Sequence, residues 1–216
     1  MKDMIKKYRL FQSNRHAIIM YLVIPVMVLE MHLAIQFMIS VTNITNVSVY
    51  LLLIGTYADF FVFNGITSKD YPMGLFKNSL KGRDTLKDAI IFDQIRRFVQ
   101  IVFLIMMCNV ATLIFFPEKI KTDDWTISII CILLVYTSNT FVLMIARNIT
   151  TFSTYAGISG LLCSITGVII SVLLFYRYCY GSVNLILWLF ISLFLAIGAS
   201  VSIIRYTLSR FDKSFV

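Results

Sequence analysis

Six stretches of about 20 mostly apolar residues divide this chain, and they leave few architectures open to it. They run from Ala17 to Ser40, Val47 to Thr67, Phe98 to Phe116, Thr126 to Ala146, Tyr155 to Tyr176 and Asn184 to Ile204. A hydrocarbon core about 30 Å thick is crossed by about 20 residues of helix. Backbone polar groups find no water there, so each stretch must bond within itself as a helix. The expected fold is all-α and integral to the membrane, one domain over 1–216 with six transmembrane helices. With 59% hydrophobic and only 14% charged residues, the composition excludes an ordinary soluble domain.

Charge gives the spans a direction. Of the 19 Lys and Arg residues, 16 fall before the first stretch, between the second and third, after the fourth and after the sixth. The other three, Lys119, Lys121 and Arg177, fall in the remaining gaps, where Glu118, Asp123 and Asp124 dilute them. Lys and Arg in short loops are retained on the cytosolic side, so both termini are expected inside. The net charge of +8 is a topology signal, because its cations are spread around helix ends. Nucleic-acid binding would need them gathered on one face with stacking aromatics.

No catalytic or metal constellation is legible. Cys108, Cys131, Cys163 and Cys179 stand singly, without metal or redox spacing, and read as ordinary thiols within the protein. Trp125 and Trp188 lie near span ends, as interfacial anchors do. Before the first span, Met4, Ile5, Tyr8 and Phe11 share one helical arc while Lys6, Lys7 and Arg9 occupy the rest. That pattern predicts an amphipathic helix over 1–16 lying in the cytosolic interface, its apolar side at the acyl boundary.

The segment 68–97 is the longest gap and the only one rich in both charge signs, with seven cations and four acids. Pro72 suits a first helical position, and Gly82 stands where a glycine would stop a helix. Between them Met73, Phe76 and Leu80 share a face opposite Lys77, Asn78 and Lys81, which predicts a short helix parallel to the membrane. A second helical pattern starts near Asp84, expected as its N-cap, and runs through Leu86, Ile90 and Ile91 into the third span.

The run Asp70, Tyr71, Gly74, Lys77, Asn78, Leu80, Gly82 resembles the signature after the second span of small type-two ABC exporter permeases. The bacitracin-resistance and lantibiotic-immunity permeases are the members it looks like. The tight match covers about twenty residues, departing at Leu75, where a small hydroxyl residue is usual, and at Asp93 and Gln94, where a lysine is common. The resemblance implies a dimeric permease whose partner is a second copy or a sister chain. A separate cytosolic ATPase would bind ATP and Mg, so this chain would carry no cofactor. Asp70, Tyr71, Met73, Gly74, Phe76, Lys77, Asn78, Leu80, Lys81 and Gly82 would form the coupling helix. The residues agree in that no G-x-x-x-x-G-K-[ST] run occurs.

Glu30, His32, Asp59 and Asn64 are polar groups at membrane depth and candidates for a substrate path. Glu30 and Asp59 fit either lining groups for a cationic peptide or proton relays; a packing role would pair Glu30 with His32. Pro25 should bend the first span and free a carbonyl. Small residues four apart, Ser153 with Gly157, Gly160 with Ser164, Ala196 with Ser200 and Gly198 with Ser202, mark faces of close helix approach. Export of an antimicrobial peptide, lantibiotic or other amphipathic compound competes with two other functions. One is an ion- or proton-coupled carrier using Glu30 and Asp59, and the other an intramembrane peptide-processing enzyme.

Overall fold

The computed structural model describes residues 2–12, 14–38, 79, 81–120, 122–146, 152–181 and 183–213, and all regular structure among them is helical. The elements are α1 (Lys2–Arg9), α2 (Asn14–Ile18), a π-helical segment (Ile19–Val23), α3 (Ile24–Met38), α4 (Gly82–Phe115), a 3-10 turn (Pro117–Lys119), α5 (Thr122–Ala146), α6 (Phe152–Tyr180) and α7 (Leu185–Lys213). Five stretches are long and apolar enough to cross a bilayer: Ile19–Phe37, Gly82–Phe115, Asp123–Met144, Ser153–Arg177 and Leu185–Ser209. The protein has the helices of a multi-pass membrane protein. The span expected over Val47–Thr67, with Asp59 and Asn64, lies outside the described residues.

α5 is the centre of the bundle. Within its membrane-length window 83% of residues are buried, against 22% for α7. Ile127, Ile130, Ile132, Leu133, Val135 and Tyr136 point around the whole helix and are all buried, so neighbours must cover every side of it. α7 makes the most extensive contact with α5, while α4 and α6 take other sides. Asn109 Nδ2 on α4 donates to Ser128 Oγ on α5 at 2.8 Å, and Thr166 Oγ1 on α6 donates to Ser138 Oγ on α5 at 2.9 Å.

One end of the bundle gathers α1, the start of α4 and the last turns of α7, and is rich in Lys and Arg; it is the basic end below. At the opposite end, Lys119 Nζ donates to the Gln36 carbonyl at 2.7 Å, tying the end of α3 to the turn after α4. Arg177 pairs with Asp123, joining α6 to the start of α5. Gly181 turns the chain with φ +63, a conformation that costs glycine nothing, and Asn184 caps α7 by accepting the Leu187 N–H at 3.1 Å.

Two expectations are corrected. Asp84 is not the N-cap of α4; the helix begins at Gly82 with Lys81 as N-cap, so Asp84 sits in the first turn, where a carboxylate complements the helix dipole, and the short helix expected before Gly82 lies outside the described residues. α4 therefore runs unbroken for 34 residues, about 51 Å, well beyond the 30 Å core. α1 is also arranged differently, since its apolar side packs on protein. Tyr8 is buried with Leu86, Ala89 and Ile90 of α4, and Phe11 packs on the same cluster. An aromatic ring gains as much from a helix groove as from acyl chains, and here the groove also offers Asp88, which pairs with Lys7.

The small-residue faces separate. Ala196 and Ser200 turn inward on α7, Ala196 buried and Ser200 half-buried. Ser153, Gly157, Ser164, Gly198 and Ser202 face outward, and nothing lies within 4 Å of a side chain built at Gly157 or Gly198.

Candidate functional site

The membrane-depth groups singled out in the sequence do not gather into one site. His32 is buried against α4, its Nε2 at 2.7 Å from Thr112 Oγ1. Thr112 spends its one proton on the Cys108 carbonyl at 3.0 Å, which leaves His32 Nε2 as the donor. This replaces the expected Glu30 and His32 pair. Two residues earlier on α3, Glu30 is exposed, and among the described residues it makes no hydrogen bond or ion pair. Of the expected coupling residues, Lys81 is exposed and Gly82 buried; Asp70, Tyr71, Met73, Gly74, Phe76, Lys77, Asn78 and Leu80 lie outside the described residues. Cys108, Cys131 and Cys163 are buried in the core.

The densest polar grouping instead lies on α4 towards the basic end. Asp93 is fully buried and accepts from Arg96 Nε at 3.3 Å, Arg96 Nη2 at 3.1 Å and Arg97 Nε at 2.7 Å. The spacing puts both guanidiniums on the turn after Asp93, where i,i+3 and i,i+4 side chains meet. Arg96 also donates through Nη1 to Gln100 Oε1 at 2.8 Å, and its guanidinium stands 5.8 Å from the centre of the Tyr8 ring.

Gln100 carries the chain of bonds to the first span. The Ile24 N–H bonds Ile19 O, the five-residue spacing of a π turn. In that register the Met20 carbonyl would be served by residue 25, but Pro25 has no N–H to give. Gln100 Nε2 fills the vacancy at 2.8 Å. The carbonyl expected to be freed by Pro25 is thus that of Met20, and a side chain of α4 claims it. Gln100→Leu is expected to destabilise the bundle by about 1–3 kcal/mol, because it leaves that carbonyl buried and unbonded. Adding Pro25→Ala should recover part of the loss by restoring an N–H. Unfolding midpoints of the two single variants, the double variant and the parent check this; no recovery would mean that Gln100 serves Arg96 and not the carbonyl.

On the other side of α4, Gln94 faces α5 and α7. Its Oε1 accepts from Tyr136 OH at 2.9 Å and Thr140 Oγ1 at 3.2 Å, and Tyr136 OH meets Ser200 Oγ at 2.7 Å. Gln94, Tyr136 and Ser200 border a cleft of about 440 Å³ between α4 and α7. A second cavity of about 360 Å³ lies between the π segment and α4, bordered by Met20, Pro25, Arg96 and Gln100. None of Gln94, Tyr136, Thr140 or Ser200 was singled out in the sequence as a site residue. Only the Thr-Ser-Asn-Thr run at 137–140 inside an apolar stretch could have pointed to them.

Fold and polar network together define a multi-pass helical membrane protein with a cluster of buried polar side chains towards its basic end. No family model, no curated protein and no solved structure matches the chain.

Proposed function

We propose that the chain is the permease subunit of an ATP-binding cassette exporter in a bacterial plasma membrane, with both termini cytosolic. It would move an antimicrobial peptide, lantibiotic or other amphipathic compound, using ATP and Mg bound by a separate ATPase chain, and pair with a second permease copy or a sister permease. The observation that carries the reading is the unbroken α4, which starts at Gly82, the last residue of the resembling run, and continues through membrane depth. A push on the segment before Gly82 is delivered along a rigid rod of about 51 Å rather than lost in a joint.

A sixth crossing is supported by direction. α3 and α4 both run from the basic end to the opposite end, as Gln100 to Met20 at one level and His32 to Thr112 at the other require. The chain between them has to return, and 47–67 is the apolar stretch available for it.

Copurification tests the reading. An ATPase polypeptide is expected to accompany the tagged chain from native membranes, and Lys77→Glu with Lys81→Glu to reduce its recovery about tenfold or more while membrane insertion is kept. Recovery of the chain alone, with transport surviving ATP depletion, would sink it. The ion- or proton-coupled carrier keeps one observation in its favour, the exposed carboxylate of Glu30 at membrane depth. Transport that is abolished by Glu30→Gln or Asp59→Asn and indifferent to ATP would select that carrier.

A further inference from the structure

We propose that the cleft between α4 and α7 binds one acyl chain of an ester-linked glycerolipid from the leaflet at the basic end. In this pose the ester carbonyl accepts a hydrogen bond from Gln94 Nε2. The site does not rest on the exporter reading, since its argument uses only the cleft and its lining.

The cleft takes the first part of a single tail. It holds about 440 Å³ and extends along α7 from Leu193 to Ile204, eleven residues of rise or about 16 Å. From Ser200, which Tyr136 joins to Gln94, to Leu193 is seven residues or about 10 Å, room for the part of one tail next to its ester. Its floor is Leu133 and Tyr136 of α5, and its walls are apolar side chains such as Phe98 and Ile197. Ile197 is well exposed, so the cleft opens sideways to lipid.

The polar chemistry selects the head of that tail. Gln94 is only 5% exposed and lines the cleft, yet its Nε2 has no hydrogen-bond partner among the described residues. Its Oε1 is already engaged by Tyr136 and Thr140, so what the site lacks is an acceptor. A phosphate or carboxylate would bring charge into an apolar cleft and pay heavily in desolvation, whereas an ester carbonyl is a neutral acceptor. The depth also agrees. Gln94 sits beside Asp93, Arg96 and Arg97, where the charged part of α4 gives way to the apolar run beginning at Phe98. Ester linkages of a bilayer lie at that boundary, with the tail directed into the core.

The experiment uses the full chain in nanodiscs of an ether-linked dialkyl phosphatidylcholine, with a phosphatidylcholine carrying a diazirine in one ester-linked acyl chain as probe. Photolabelling is expected at Phe98, Ile197 and Val201, saturable by unlabelled ester lipid, and well above that at Val168 on the lipid-facing side of α6. The ether-linked analogue, which lacks the carbonyl, should label about fivefold less, the worth of one net hydrogen bond. Gln94→Met should bring the ester probe down to the ether level. If Gln94→Met fails to fold, Ile197→Trp at the open rim serves instead, and should abolish labelling at Phe98 while leaving Val168 unchanged. Ether labelling equal to ester labelling, cleft labelling no higher than at Val168, or cholesterol competing as well as ester lipid would each overturn the proposal.

Discussion

Asp93→Ala is expected to destabilise the helix bundle by about 3–5 kcal/mol. The side chains of Asp93, Arg96 and Arg97 are 0%, 3% and 2% exposed, so both guanidiniums are held where water does not reach. Removing the one carboxylate they share leaves two buried cations without their closest counter-charge, and the penalty is mostly that of the stranded charge. Asp93→Asn should behave almost as badly, because the shape survives but the charge does not. The Arg177 and Asp123 pair at the opposite end supplies the control, since Asp123 is half exposed and its loss should cost under about 1 kcal/mol. Thermal unfolding in detergent, followed by loss of the monodisperse peak, compares the variants. Equal, small shifts for Asp93→Ala and Asp123→Ala would show that the cluster is hydrated and carries no such burden.

Tyr8→Ala is expected to undock α1 from α4 at a cost of about 3–5 kcal/mol, the range for removing a large buried aromatic ring. Tyr8 is 1% exposed, and its ring centre lies 5.2 Å from that of Phe92. The loss should be local, because α1 touches the rest of the described bundle chiefly through α4. Limited trypsin digestion reads it: cleavage after Lys7 and Arg9 should quicken about tenfold or more, while the spans stay intact. Unchanged cleavage would mean that α1 is held elsewhere.

The pairing of Lys7 with Asp88 adds a smaller, screened contribution to the same docking. The Asp88 carboxylate, by its hydrogen bond, raises the Lys7 ammonium above its ordinary value. Protonated lysine therefore favours the docked state. Its contribution is complete below about pH 10.4 and fades only as pH rises through the raised value. Docking of α1 should accordingly be insensitive to pH between about 6 and 9, and digestion rates across that window check it.

How much of this was legible beforehand differs from element to element. The spans at 126–146, 155–176 and 184–204 anticipate α5, α6 and α7, of which α5 and α6 begin three or four residues earlier and α7 continues nine residues past Ile204, because a helix does not have to end where its apolar run does. The helical pattern from Asp84 through Ile90 anticipates the basic-end half of α4, but the helix starts at Gly82 and not at Asp84. A glycine before Asp84 can end one helix or begin another, and which it does depends on where Ser79 and Lys81 place the backbone. Within the site, Asp93 with Arg96 and Arg97 stood four residues apart or less, as an ion cluster that any helical wheel displays. The attention given to Glu30 and His32 came from counting titratable groups in lipid; Gln94, Tyr136, Thr140 and Ser200 are uncharged and lie on three helices, with Tyr136 42 residues from Gln94 and 64 from Ser200.

The sequence by itself determined that this protein is helical and membrane-sized, because bilayer-length apolar runs have one way to satisfy their backbone. It also determined the basic end, through the uneven placement of Lys and Arg. Tertiary structure alone decided that α5 is the hub, that Tyr8 meets α4 rather than lipid, and that Ser200 turns inward while Ser202 faces out. The reason is physical. Lipid tails and a neighbouring helix are almost equally apolar, so in a membrane a hydrophobic face does not say which of the two it will meet.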